Sequence, residues 1–196
     1  MNELAEKADI EPIIFRLNHL SDDRAREVLI GLNDQMQKSP LNANNSRGIG
    51  FARYKNSAAY CAVGIEIKLT DEVELKLVNA WISVDAGEVI YKDAVISQLE
   101  GGLIQGASWT IYEQVEYDTR SILSKDWDNY KIIGFDNIPN INVKIIERKG
   151  FPFLGVGEVV AGPVSAAIAN ALYETLGVRV RNLPFTKEKI TEEILK

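Results

Sequence analysis

Tyr60-Cys61-Ala62-Val63-Gly64-Ile65-Glu66-Ile67-Lys68-Leu69 alternates with a period of two. Cys61, Val63, Ile65, Ile67 and Leu69 are apolar, with Gly64, Glu66 and Lys68 between them, the pattern of a half-buried strand. Cys61 shares the apolar parity and reads as a small core residue. After the turn residues Thr70-Asp71-Glu72, a second run starts with Val73, Leu75 and Leu77 on one parity and continues with Val78, Ala80, Ile82 and Val84 on the other. Such a shift predicts a β-bulge or a strand buried on both faces. The two runs together predict an antiparallel hairpin.

Working outward, residues 94–113 return to helical spacing, with Val95, Leu99, Leu103, Ala107 and Ile111 four apart. Gly101, Gly102 and Gly106 interrupt that helix, and each costs about 1 kcal/mol relative to Ala. They mark a close approach, either of a neighbouring helix or of a ligand. Strands are expected around 115–117, at 141–147 and over the tail 178–184, with a loop at 126–130 and a charged helix from 186 to the end. Val164, Ala167, Ile168, Ala171, Leu172, Thr175 and Leu176 form the stripe of a closing helix, begun by Gly162-Pro163 and ended by Gly177.

Toward the N-terminus, residues 1–38 read as helical. Ser21 or Asp22 caps a helix that buries Ala25, Val28, Leu29, Leu32 and Met36 and turns Asp23, Arg24, Arg26, Glu27 and Asp34 to water. Residues 38–50 are rich in turn formers and read as a linker, which divides the chain into a helical segment with its linker over 1–46 and a larger domain over 47–196. The fold class expected is α+β, a mixed or antiparallel sheet flanked by helices.

The net charge of -6 leaves no surplus of Lys and Arg to neutralise phosphates, which argues against a general nucleic-acid partner. No apolar run reaches the roughly 18 residues of a spanning helix, so no membrane span is expected and the chain reads as soluble, cytoplasmic or periplasmic. One Cys and one His restrict the chemistry: neither an iron–sulfur cluster nor a Cys-ligated zinc can be built from this chain alone, and no metal ligands are assigned. His19 reads as a surface or capping residue. Acid–base chemistry therefore rests on carboxylates.

One carboxylate stands out by its setting. In Phe151-Pro152-Phe153-Leu154-Gly155-Val156-Gly157-Glu158, two glycines precede an acid on an adaptable loop just ahead of the closing helix. The motif alone describes a glycine turn with an exposed Glu as well as it describes a site.

Several motifs in order carry a resemblance: Arg47-Gly48-Ile49-Gly50, Tyr60-Cys61-Ala62-Val63, Asp85-Ala86-Gly87, Gln98-Leu99-Glu100-Gly101-Gly102, and Gly155-Val156-Gly157-Glu158 before Ala167-Ile168-Ala169-Asn170-Ala171. Over nearly its whole length the chain resembles the C-terminal part of the molybdenum-cofactor-binding large subunit of the xanthine oxidase and aldehyde oxidoreductase family, and most of all the isoquinoline 1-oxidoreductase beta subunit. The resemblance implies a molybdopterin-binding domain whose cofactor, in forms that include the cytosine dinucleotide, is bound jointly with an N-terminal half that this sequence lacks. It implies Glu158 as the base in oxidation of an aldehyde or N-heteroaromatic carbon with water as oxygen source. Gln98 is implied as a hydrogen-bonding partner of the cofactor, with Gly101, Gly102 and Gly157 permitting its close approach. The expected partners are the N-terminal part of the large subunit, an iron–sulfur or haem electron-transfer subunit and a small-molecule substrate, and the chain alone is expected to be inactive. Two positions depart from the family: Val159 replaces the usual Pro after the base, and Tyr91-Lys92 replaces the usual Asn-Pro ahead of the glutamine. The alternative is a degenerate homologue or assembly subunit that keeps only the fold.

Overall fold

The computed structural model describes all 196 residues. The predicted hairpin is its centre: β2 (Tyr60–Leu69) pairs antiparallel with β3 (Leu75–Asp85). The parity change has both predicted causes. Pairing slips between Glu66↔Asn79 and Ile67↔Leu77, leaving Val78 as the extra residue of a bulge, and β3 is buried on both faces from Ala80 to Asp85. β1 (Asn45–Arg53) pairs antiparallel along β2, and β4 (Asn140–Ile145) runs parallel to β3, giving a mixed sheet ordered β1-β2-β3-β4.

One face of the sheet carries Cys61, Val63, Ile65, Ile67, Ala80, Ile82 and Val84 into the larger core, closed by α4 (Lys92–Ile111) and α5 (Ala161–Leu176). The other face carries Tyr60, Ala62 and Trp81 against α3 (Asp23–Gln37). Glu66 lies on this second parity and is fully buried. Arg47 Nε and Nη2 donate to its Oε2 at 2.8 and 2.7 Å, and Asn45 Nδ2 donates to Oε1 at 2.6 Å. The helical N-terminus consists of α1 (Asn2–Lys7), α2 (Pro12–His19) and α3. Asp22 is the cap of α3, accepting from the N–H groups of Arg24 and Ala25 at 3.0 and 3.3 Å. Exposed His19 ends α2, its Nδ1 2.7 Å from the Phe15 carbonyl.

Several expectations are corrected. The linker spans only 38–44, because residues 45–53 form β1. Gly48 and Gly50 read as turn formers, but they make room for helix backbone: a Cβ at 48 would stand 2.2 Å from Ala167 O, and one at 50 would stand 2.1 Å from Pro163 O. Residues 115–117 make only an isolated bridge, Tyr117 to Ile122. The tail 178–184 forms no strand; Arg179 and Arg181 pair instead with Glu6 and Glu3 of α1, and Val180 and Phe185 plug the core. Finally, α5 starts at Ala161, so Pro163 is its third residue, still within the turn whose N–H groups have no helical partner. Gly177 ends that helix in the left-handed region at φ 68, and α6 (Lys187–Ile194) follows, capped by Thr186.

Candidate functional site

The loop 151–158 is positioned by a buried charge cluster at the end of β3. Asp85, with no exposed side-chain surface, accepts from Arg24 Nε at 2.8 Å and Nη2 at 2.5 Å, from Arg148 Nε at 3.0 Å and from the Gly87 N–H at 3.0 Å. Burial by itself would raise the Asp85 carboxyl; the bonds from Arg24, Gly87 and Arg148 outweigh it and hold the pKa below the ordinary carboxylate value. Arg24, expected to face water, turns inward for this purpose, and its guanidinium also lies 5.0 Å from the centre of the Tyr60 ring. Gly87 then turns with φ 72, a conformation that favours glycine, and a Cβ there would stand 1.9 Å from Pro152 O. Two backbone bonds tie the loop down: Leu154 N–H to Ala86 O at 2.7 Å and Glu88 N–H to Phe151 O at 3.4 Å.

Beyond this anchor the loop meets α4. Gln98 Nε2 donates to Gly157 O at 2.8 Å, joining the two motifs on one exposed surface, and the amide oxygen of Gln98 has no partner within the chain. Glu158 is exposed beside this bond. One of its carboxylate oxygens, Oε2, accepts from the Tyr54 hydroxyl, which lies in the short 3-10 turn Tyr54–Asn56 between β1 and β2. The Glu158 hydrogen bond, followed by burial and the carboxylate's charge, raises the Tyr54 phenol above its ordinary pKa. Val159, in the position where the family usually has Pro, is buried in the main core and donates its N–H to Val156 O at 3.4 Å. Proline there would forfeit that bond.

The glycines separate into two kinds. Gly106 in α4 makes room for α5, with Val164 Cβ 3.3 Å from where its own Cβ would stand, so helix packing explains it. Gly102 has only ordinary contact with Val160, at 3.7 Å. A Cβ at Gly101, Gly155 or Gly157 would meet no other part of the chain within 4 Å, and none of the three has positive φ. Within this chain nothing requires them to lack a side chain. All three flank the Gln98–Gly157 bond, leaving bare backbone beside an amide oxygen and a carboxylate. An amide oxygen and a carboxylate, both acceptors, beside open backbone fit a large cofactor that donates N–H groups, as a pterin does.

The structure thus brings Gln98, Gly157 and Glu158 into contact or adjacency and places Gly101 and Gly102 one turn along α4 from Gln98. Sequence reasoning missed Tyr54, Arg24 and Arg148. Asp85 belonged to a quoted motif, but its partners lie 61 and 63 positions away in the chain, where no local pattern could reveal them.

Residues 24–139 match the family model described as a molybdopterin cofactor-binding domain. A nicotinate dehydrogenase polypeptide of Pseudomonas putida is 32% identical over 97% of this chain, which spans 17% of that relative. The beta chain of isoquinoline 1-oxidoreductase from Brevundimonas diminuta is 27% identical over 94% of this chain, which spans 24% of it. Among solved structures, aldehyde oxidoreductase from Desulfovibrio desulfuricans superimposes with a TM-score of 0.62 at 30% identity, over 69% of this chain and 15% of its own. Quinoline 2-oxidoreductase from Pseudomonas putida shares the fold, with a TM-score of 0.62 over 70% of this chain and 19% of its own. The chain belongs to the molybdopterin cofactor-binding domain family, as found in the large subunits of xanthine oxidase-type oxidoreductases.

Proposed function

We propose that this chain is the cofactor-binding portion of a molybdenum hydroxylase that oxidises an aldehyde or N-heteroaromatic carbon with water as oxygen source, with Glu158 as general base. The reading rests above all on the Gln98–Gly157 hydrogen bond, which joins positions 59 apart in sequence and sets the expected cofactor-binding amide beside the expected base. Relatives named for nicotinate and isoquinoline, and a structural neighbour named for aldehydes, support the substrate class.

A molybdopterin-type cofactor, such as the cytosine dinucleotide form, supplies the two-electron oxidising centre when bound. Gln98 offers its unpartnered amide oxygen to that cofactor. Gly101 and Gly102 keep the surface of α4 low, and Gly157 does the same beside the base. Glu158 orients the attacking water-derived nucleophile and accepts its proton. Further contacts come from the N-terminal part of the large subunit, and electrons leave through an iron–sulfur or haem partner, since Cys61 is the only cysteine here.

In the complete enzyme, Glu158→Gln is expected to abolish turnover while metal analysis finds molybdenum near the parent level. Substantial turnover in that variant would overturn the assignment of the base.

A further inference from the structure

We infer that Tyr54 is a positioning residue for Glu158, tying down one carboxylate oxygen so that the other is presented to the proton it removes. This rests on the reading of Glu158 as the base. The Tyr54 hydroxyl donates to Oε2 of Glu158, and Oε1 has neither a hydrogen bond nor an ion pair within the chain. A carboxylate with one oxygen held and one open has a defined direction of proton acceptance, which a freely rotating exposed Glu lacks.

The scaffold around Tyr54 suits that task. Its N–H donates to Ala59 O at 2.9 Å, while its carbonyl accepts from Ser57 and Ala58 at 3.3 and 2.9 Å, closing the turn on itself. Lys55 and Asn56 complete it in the left-handed region at φ 51 and 57. The partly buried ring packs against the main core, and the Lys55 ammonium lies 5.2 Å from its centre. Gln98 holds the carbonyl of the preceding residue, Gly157. The base is therefore gripped twice, at its backbone approach by α4 and at its side chain by the β1–β2 turn. The raised phenol pKa of Tyr54 agrees with a hydroxyl that stays protonated and donates throughout the neutral range.

Two measurements test this. In the chain carrying 13Cζ-labelled tyrosine, NMR titration should show Tyr54 ionising above the ordinary value of about 10, and Glu158→Gln should bring it down. An unmoved titration overturns the contact, with no cofactor needed. In the complete enzyme, Tyr54→Phe should lower kcat about tenfold with KM and molybdenum content unchanged. A kcat within about twofold of the parent, while Glu158→Gln is inactive, overturns the role of Tyr54 alone. Turnover retained by Glu158→Gln overturns the base and the role of Tyr54 together.

Discussion

Replacing Asp85 with Asn tests whether the buried charge cluster holds the site loop in place. The carboxylate accepts four hydrogen bonds and stands between two guanidinium groups, with no exposed surface of its own. Asn keeps one acceptor but puts an NH2 against donors, so whichever oxygen is replaced, at least one Arg24 bond is lost, and the charge facing Arg24 and Arg148 is lost with it. Removing one partner of a buried ion pair costs roughly 3–5 kcal/mol. For a chain of this size each kcal/mol shifts Tm by about 2–4 °C, so the expected drop is about 6 to 20 °C by circular dichroism. Because the Asp85 pKa is depressed in the folded state, its contribution is full above the unfolded value of about 3.9 and is lost as pH falls through the folded one. The Tm gap between parent and variant should therefore be complete at about pH 6 and shrink below about pH 4. Amide shifts should spread from residues 85–88 into 151–158, which the cluster holds through Ala86 O and Glu88 N. A Tm within about 2 °C of the parent, or a gap that does not change with pH, would refute the cluster as the loop's anchor.

Two glycines give opposite expectations. Gly50→Ala should destabilise by about 2–3 kcal/mol in urea denaturation, because the new Cβ would meet Pro163 O at 2.1 Å and helix backbone must move; an unchanged midpoint would contradict the packing of α5 on β1. Gly101→Ala should stabilise the chain by about 0.5–1 kcal/mol, since the helix gains a better former in open space. The same change should lower the molybdenum content of the complete enzyme, and parent-level molybdenum would count against cofactor approach at Gly101.

Much of the fold was legible because periodicity reports which stripe of a segment meets the interior. The alternation from Cys61 to Leu69, the parity change at Val78 and the stripe of α5 all appear in the structure as read. Periodicity does not report what lies over the polar parity. Glu66 alternates with apolar neighbours as a solvent-facing residue would, yet α3 and Arg47 cover it completely. Arg24 sits on the hydrophilic side of its helix and still turns to a carboxylate 61 positions away. Such pairings are long-range and depend on how the layers stack, so no window of local sequence contains them. The tail shows the converse: Val178 and Val180 alternate as in a strand, but Arg179 and Arg181 are bound by α1, and the segment joins no sheet.

The glycines show most clearly where sequence stops and structure begins. In a sequence a glycine is ambiguous between a turn, a crowded contact and an open approach to a ligand. Gly48 and Gly50 prove crowded by helix backbone, Gly106 is in tight contact with the neighbouring helix, and Gly87 combines positive φ with a carbonyl against it. Each therefore has a reason within the fold. Gly101, Gly155 and Gly157 have none, and they stand together around Gln98 and Glu158. Of the three only Gly101 lies in a helix, where glycine costs about 1 kcal/mol relative to Ala and here gains nothing from its neighbours. For Gly101 this supports the proposed cofactor surface by packing alone, whereas the family model ends at residue 139, ahead of the loop that carries Glu158.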